Sequence, residues 1–397
     1  MAIPFNYSFF GGQQKIEPLL KILHLIYTNG ISGAEKYLQD LLPSLTDLGI
    51  HCELICICPK KNSISLSEYC RKMEEKGVKS TLLTTSSKIS YLKIAGEIAA
   101  YLKSHNIGAI HAHLFSADLI SVLIKKLFIK KLVIFSTKHG YEEKYLVQYG
   151  LGNKQVPGNP YYYITRYLIS NIDHNITVSK ALSRLYAHIR LVKEEMPFIH
   201  HGINFQPSPG KDTQLKGDPK ILMVGRLSTI KGHSYLIKAL PEILKKFPAL
   251  TLILAGEGPL KEDLVKLSTL LNVNDHINFV GYAKPGDYSP QCQLMILPSL
   301  FESFGLVYIE SFSLKIPLVA FDSEAGNEII DNNQTGILVP KGDVKSLAEK
   351  IIYLLETPGE RERIAENAYK KYRSYFNAER MAKETAAWYR KSLPINF

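Results

Sequence analysis

The chain has 397 residues, of which 46% are hydrophobic and 21% charged, with 26 glycines and 20 prolines. This balance is typical of a globular protein with two or three domains, and it excludes disordered, collagen-like and low-complexity chains. No stretch approaches the roughly 18 consecutive apolar residues of a membrane-spanning helix. Residues 1–20 also lack the basic start and apolar run of a secretory signal, so we expect a cytoplasmic protein.

Short apolar segments alternate with amphipathic segments of helical length from residue 21 onward. The first series predicts strands at residues 22–27, 52–58, 107–111, 132–135 and 174–177, with helices near 34–48, 64–76, 90–104, 116–126 and 180–190. A second series predicts strands at residues 221–224, 251–255, 277–280, 294–297, 318–321 and 336–339, again with helices between them. This alternation is typical of parallel sheets that carry helices on both faces.

Residues 206–220 separate the two series and have the proline, glycine and polar content of a linker. We therefore predict an α/β protein with two doubly wound, Rossmann-like domains that face a cleft, at residues 1–206 and 207–377. Ligands of such domains bind at the carboxyl ends of the strands. Residues 378–393 are predicted to form an amphipathic helix that contains the only tryptophan, Trp388.

The net charge of +11 is concentrated in the first half of the chain, where residues 1–200 hold 24 Lys and Arg against 15 Asp and Glu. Four lysines surround an apolar turn at residues 125–131, and residues 161–167 mix tyrosines with Arg166. This pattern favours an anionic membrane surface as a partner, although an ordinary solvated rim explains it equally well. No zinc-finger, basic-zipper or RNA-recognition motif is present, so nucleic acid is not an expected partner.

The sequence predicts neither disulfides nor a metal site. The cysteines are odd in number and mostly lie in an apolar stretch, which favours reduced, buried thiols. No C-x2-C pair completes a zinc site. His111 and His113 alternate on one strand face, but we expect no third ligand near them. No Asp-x-Asp motif occurs that would hold a metal against a diphosphate.

Two basic residues follow the first strand of the second series. Arg226 and Lys231 lie in the turn after residues 221–225, and a helix begins near His233. A guanidinium and an ammonium group at one strand exit can together neutralise a diphosphate. The alternative is an ordinary exposed turn, because Arg and Lys are mostly surface residues.

A second cluster follows the strand at residues 294–297. A helix predicted to start near Leu306 would present the backbone N–H groups of Gly305, Leu306 and Val307 to the cleft, where they favour a phosphate. Glu310, one turn inside, can accept two hydrogen bonds from a vicinal diol such as ribose. An ordinary glutamate near a helix N-terminus is the alternative for Glu310.

The spacing Arg226-x4-Lys231 together with Glu302-x7-Glu310 resembles the retaining family 4 glycosyltransferases (glycosyl transferases group 1) of bacterial surface-polysaccharide type, which have the GT-B fold. Further stretches similar to that family occur in the same order, so the likeness covers about residues 21 to 393. They lie at residues 29–35, 137–140, 176–179, 199–204, 254–259, 280–282 and 328–339. Two departures are Ser32-Gly33, where the family often has Gly-Gly, and residues 325–328, where it often has Gly-Gly-x-Pro-Glu.

The resemblance implies a retaining hexosyltransferase and gives individual residues a role. Its catalytic residues would be His139, Glu302, Arg226 and Lys231. The residues that bind the donor would be Gly33, Arg226, Lys231, Tyr282, Glu302, Phe304, Gly305, Leu306, Val307 and Glu310. The terminal helix at 378–397 would cross back to the first domain.

The resemblance also implies the substrates. The donor would be a nucleotide diphosphate sugar, with UDP-sugar favoured and GDP-sugar possible, and no metal or other cofactor would be required. The acceptor would be a hydroxyl of a saccharide or of a lipid-linked saccharide, bound through residues 140–170. The protein would be cytoplasmic or peripheral at the inner membrane face.

Other functions stay open at this stage. A sugar-nucleotide epimerase of GT-B fold would share the diphosphate cleft, and a non-catalytic binding module would keep the fold alone. A dinucleotide-dependent oxidoreductase is disfavoured, because Gly256 and Gly258 lack the third glycine of G-x-G-x-x-G.

Overall fold

A computed structural model describes residues 20–85, 91–141, 160–204 and 217–393. The predicted linker at 206–220 lies largely outside these ranges, as do residues 1–19. Most of the segment 140–170, to which acceptor recognition is assigned, also lies outside them.

The first domain contains a parallel six-stranded sheet with the order β3-β2-β1-β4-β5-β6. Its strands are β1 (Lys21–Tyr27), β2 (His51–Pro59), β3 (Lys79–Thr85), β4 (Ala109–His113), β5 (Val133–Lys138) and β6 (His174–Thr177). The described helices are α1 (Gly33–Asp47), α2 (Ser63–Glu75), α3 (Tyr91–Ser104), α4 (Phe115–Leu127), α5 (Pro160–Ser170) and α6 (Lys180–His188). Side chains of β1 alternate between two apolar layers, since Ile22 and Ile26 pack in one and Leu23 and Leu25 in the other.

The second domain repeats this architecture with the strand order β12-β11-β10-β7-β8-β9. Its strands are β7 (Lys220–Val224), β8 (Thr251–Ala255), β9 (Ile277–Gly281), β10 (Leu294–Leu297), β11 (Leu318–Phe321) and β12 (Ile337–Val339). Its helices are α7 (His233–Lys246), α8 (Lys261–Leu270), α9 (Pro285–Tyr288), α10 (Leu306–Ser313), α11 (Glu324–Ile329), α12 (Val344–Glu356) and α13 (Pro358–Tyr375), followed by α14 (Ala378–Ser392). The predicted α/β class with two doubly wound domains is confirmed.

The sequence placed some strands inaccurately. It missed β3, whose residues are mostly polar and none of them fully buried, because this edge strand lacks an apolar signal. It ended the fourth and fifth strands too early, at His111 and Phe135. Both strands continue through polar residues that neighbouring elements cover completely, including His113 and Ser136.

The terminal helix α14 packs on α1 of the first domain. The Tyr389 hydroxyl forms a hydrogen bond with His111, and the Trp388 ring lies 4.9 Å from the Phe135 ring centroid. The chain crosses between domains beside Gly202, where a Cβ atom would overlap the Asn377 carbonyl oxygen. Only glycine fits there, so the two crossing segments are in backbone contact.

Candidate functional site

The first-domain side of the site is the loop between β1 and α1. Ser32 caps α1, and its backbone N–H and hydroxyl both donate to the buried Glu35 carboxylate, at 2.7 and 2.8 Å. A Cβ atom on Gly33 would lie 3.5 Å from Leu306 Cδ1, at the start of α10 in the second domain. The loop therefore lies directly against the helix that carries Glu310.

Lys36 pairs with Glu310 across the two domains. Its ammonium group lies 3.0 Å from Glu310 Oε1, and the glutamate side chain is only 7% exposed. Burial disfavours the charged lysine, but the Glu310 carboxylate outweighs this effect and raises the pKa of Lys36. The second oxygen, Glu310 Oε2, is buried and has no hydrogen-bond partner among the described residues. Sequence reasoning missed Lys36, whose only signal was its position one turn after Gly33.

Lys231 binds Glu302, the other glutamate of the Glu302-x7-Glu310 spacing. Its ammonium group donates to both oxygens of Glu302, at 2.7 and 2.8 Å. The contact depends on Gly232, which has a φ of 74° and whose Cβ atom, if present, would overlap the Pro298 carbonyl oxygen. The turn after β7 therefore packs tightly on the exit of β10, and Lys231 meets Glu302 for that reason.

Two further glycines have a packing role. A Cβ atom on Gly256 would overlap the Gly225 carbonyl oxygen, and one on Gly258 would overlap the Leu227 carbonyl oxygen. Close backbone approach therefore accounts for both glycines, and no dinucleotide is needed to explain them.

Gly305 shapes the N-terminus of α10. It has a φ of 88°, and a Cβ atom there would overlap the Tyr308 ring. The Phe304 ring is buried against His200 and His201, so only its backbone is available to a ligand. The first-turn amides of α10, at Leu306 and Val307, point out of the helix as every helix start requires.

Arg226 and Tyr282 lie at the accessible side of the site. Arg226 is exposed in the turn after β7, and Tyr282 is 64% exposed after β9. Tyr282 lies close enough to Lys36 to interact with its charge. The structure thus collects Gly33, Tyr282, Leu306 and Glu310 around Lys36, with the Lys231–Glu302 pair on the same second-domain edge.

His139 lies at the end of β5, beside the contact between the domains. The next residue is Gly140, where a Cβ atom would lie 2.9 Å from Ser303 Oγ of the second domain. Burial, with smaller contributions from His201 and Lys138, lowers the pKa of His139 to about 3. The imidazole is therefore neutral near pH 7.

The expectation that no third ligand lies near His111 and His113 is wrong. Strand β1 pairs with β4 in parallel, and this pairing places His24 opposite His111. One ring nitrogen from each of these three buried histidines lies within 4.8 Å of the others. Sequence spacing could not predict this contact, because it depends on the pairing of β1 with β4.

Glu328, in one of the two segments that depart from the family, joins the domains. Its carboxylate accepts hydrogen bonds from the backbone N–H groups of Lys180 and Ala181, at 2.7 and 2.8 Å, and from His200. These amides begin α6 of the first domain, where a negative charge is favoured. Burial raises the pKa of Glu328, but the hydrogen bonds with His200 and with the two amides outweigh this effect and lower the pKa below its ordinary value.

Basic and aromatic side chains share one surface of the first domain. Lys125, Lys126 and Lys130 line a shallow cavity together with the end of α5. On α5 itself, Tyr163 and Tyr167 are 56% and 55% exposed. Within the described residues, no helix is both long enough and apolar enough to cross a membrane.

Two family models match consecutive parts of the chain. Residues 31–206 match Glycosyltransferase Family 4, and residues 206–371 match Glycosyl transferases group 1. The boundary between the two matches coincides with the predicted linker.

Similar proteins support the same grouping. An alpha-D-kanosaminyltransferase of Streptomyces kanamyceticus is 34% identical over 38% of this chain and 40% of its own length. A Campylobacter jejuni N-acetylgalactosaminyltransferase that acts on a diphospho-undecaprenol saccharide is 32% identical over 37% of this chain and 40% of its own length. The chain spans about half the length of the curated relatives it matches. The structure of Anabaena HepE with UDP and glucose covers 94% of this chain and all of its own, with a TM-score of 0.74 at 18% identity.

Glu328→Gln should lower the free energy of unfolding at neutral pH. It should also make that free energy less dependent on pH in the acid range. The folded-state pKa of Glu328 lies below the ordinary value of 4.5, so its contribution is present above about pH 4.5 and is lost as the pH falls. We expect a loss of about 1–3 kcal/mol at pH 7 and a smaller loss at pH 3.

Urea unfolding at both pH values measures this difference. The matched control is Glu324→Gln, an exposed residue of the same helix. An equal loss of stability at both pH values would contradict the assignment of Glu328 as an ionised contact between the domains.

Proposed function

Because consecutive parts of this chain match Glycosyltransferase Family 4 and Glycosyl transferases group 1, we propose that it is a GT-B glycosyltransferase. It would transfer a sugar from a nucleotide diphosphate sugar to an acceptor hydroxyl, with retention of anomeric configuration and without a metal ion. The observation that carries the proposal is the buried Glu310 carboxylate, which faces Lys36 at the contact between the domains.

The ribose of the donor would bind Glu310. Oxygen Oε1 is held by Lys36, whereas Oε2 is buried without a partner among the described residues. A buried carboxylate oxygen of this kind gains free energy from a hydroxyl donor, because its water has been removed. A ribose diol supplies two such donors, and the contact with Lys36 keeps the carboxylate oriented.

The diphosphate would bind Arg226, Lys231 and the start of α10. Arg226 offers a guanidinium group and Lys231 an ammonium group, and the contact with Glu302 already orients Lys231. The Leu306 and Val307 amides add two hydrogen-bond donors at the positive end of the helix. These groups together supply the charge that a divalent metal supplies in other diphosphate sites, which is why we propose metal-independent transfer.

The donor base is proposed from the relatives. Anabaena HepE binds UDP and UDP-glucose, and this favours a UDP-sugar. A Mycobacterium tuberculosis mannosyltransferase that is 28% identical over 38% of this chain uses GDP-mannose, so a GDP-sugar is the alternative.

The transfer would break the bond between the anomeric carbon and the leaving phosphate oxygen. The acceptor hydroxyl then bonds to the same face of the sugar, and its proton passes to the leaving phosphate. Negative charge accumulates on the diphosphate during this step, so Arg226 and Lys231 stabilise the transition state more than the ground state. Neutral His139 at the domain contact would donate a hydrogen bond to the sugar or the phosphate.

The acceptor is proposed to be a saccharide, either soluble or linked to a lipid. The exposed tyrosines of α5 and the lysines at the end of α4 and just after it favour a lipid-linked saccharide at an anionic membrane face. The similar Campylobacter protein acts on a diphospho-undecaprenol saccharide, which supports this choice. The protein would then be cytoplasmic and peripheral.

Arg226→Ala and Lys231→Ala should each reduce transfer by about 10²- to 10³-fold, because each removes one stabiliser of the leaving diphosphate. Release of UDP or GDP from a panel of nucleotide sugars, in EDTA, measures the rate. The matched control is Lys266→Ala, an exposed lysine on α8, which should retain the native rate. Full activity in both folded variants would rule out the proposed diphosphate contacts.

Replacement of Lys126, Lys130 and Lys131 by glutamate should weaken binding to vesicles. Each lysine contributes roughly 1 kcal/mol near anionic lipid, and salt screens the interaction. Co-sedimentation with phosphatidylglycerol vesicles at low and high salt measures the effect, with zwitterionic vesicles as the control. Absence of native binding at low salt would contradict the membrane proposal and leave a soluble acceptor.

A further inference from the structure

Three histidines form a hydrogen-bonded chain that leads from the site into the core of the first domain. His139 Nε2 lies 3.1 Å from His113 Nδ1, and His113 Nε2 lies 3.1 Å from His24 Nδ1. His24 and His113 are completely buried, whereas His139 is partly exposed at the domain edge. His24 lies on β1 and His113 on the neighbouring strand β4, so the backbone of the sheet fixes their positions.

All three imidazoles are neutral near pH 7. Burial lowers the pKa of His24 and His139 to about 3 and lowers the pKa of His113 well below its ordinary value. A neutral imidazole has one N–H group and one lone pair. The row of three histidines therefore has two possible arrangements of its N–H groups. In one, each hydrogen bond is donated toward His139, and in the other, each is donated toward His24.

The far end of the chain distinguishes these arrangements. His24 Nε2 is buried and has no hydrogen-bond partner among the described residues. A buried N–H group without an acceptor is rarer than an unpaired acceptor, so Nε2 carries the lone pair. His24 Nδ1–H then donates to His113 Nε2, and His113 Nδ1–H donates to His139 Nε2. The proton of His139 is left on Nδ1.

His111 lies beside these three histidines but is not hydrogen-bonded to them. One of its ring nitrogens bonds to the Tyr389 hydroxyl, and the other lies 2.8 Å from Thr137 Oγ1. A metal ion held by His24, His111 and His113 would have to displace several of these hydrogen bonds. It would also place a divalent charge in a fully buried site, near Lys138.

We propose that His113 and His24 are positioning residues that hold His139 as its Nδ1–H tautomer, so that it donates a hydrogen bond to the donor sugar or the leaving phosphate. The ligand part of this inference rests on the proposed function. The opposite tautomer would present a lone pair, which repels phosphate oxygens. The buried histidines His113 and His24 thus determine whether His139 attracts or repels a phosphate oxygen.

Two-bond ¹H–¹⁵N correlation spectra of the full chain, labelled at histidine, report the tautomer directly and need neither donor nor acceptor. The His139→Gln variant assigns the signal. His113→Leu removes the hydrogen bond to His139, whereas His113→Asn keeps an N–H donor near the position of Nδ1. His111→Asn is the control, because His111 is equally buried on the same strand but lies outside the chain.

The native protein, His113→Asn and His111→Asn should show His139 protonated at Nδ1. His113→Leu should show a mixture or the Nε2–H form. In the transfer assay, kcat should fall about 10- to 100-fold in His113→Leu, with a much smaller change in the donor KM, and His113→Asn should recover most of the loss.

A native His139 protonated at Nε2, or a tautomer that His113→Leu does not change, would overturn the proposal. Stoichiometric zinc in the native protein that disappears in His24→Asn would also overturn it, and would assign a metal site instead. Failure of the proposed function appears separately, as absence of transfer by a native protein whose His139 tautomer follows the prediction.

Discussion

A carboxylate buried between two domains must be paired with a cation or with hydrogen-bond donors, and Glu310 illustrates this constraint. It is 5% exposed and comes from the second domain, while Lys36, which neutralises it, comes from the first. Neither domain alone satisfies the pair. The contact between the domains and the proposed donor site therefore share one ion pair, and any ligand that binds Glu310 would act on both.

The remaining contacts between the domains maintain this geometry. The Ser179 hydroxyl donates to the Ser303 carbonyl oxygen, and Glu328 holds the start of α6. Away from the site, Gly202 lies in backbone contact with Asn377, and α14 packs on the first domain. In the same region, Arg380 donates a hydrogen bond to the His200 carbonyl oxygen at 2.6 Å. These polar contacts, together with an apolar cluster that continues through both domains and α14, thus hold the loops that carry the site.

The sequence predicted the fold, which the structure confirms, and it indicated the second-domain residues of the candidate site, because both have local signals. Strand and helix periodicity appears within a few residues, and Glu302 and Glu310 lie on one short loop and helix. The contacts of Lys36 and His24 could not be predicted in this way. Lys36 is separated from Glu310 by 274 residues, and His24 meets His113 only through the pairing of two strands. Polar residues buried at strand ends were also mistaken for the start of loops.

The most direct test of the central claim is calorimetric titration of UDP, GDP and ADP in EDTA, with native protein, Glu310→Ala and the exposed control Glu349→Ala. The account predicts that one diphosphate binds selectively without metal. Glu310→Ala should weaken its binding about tenfold or more, which corresponds to about 1.4 kcal/mol, and Glu349→Ala should leave it unchanged. Equal affinity in native protein and folded Glu310→Ala, or no binding of any diphosphate to the native chain, would contradict it.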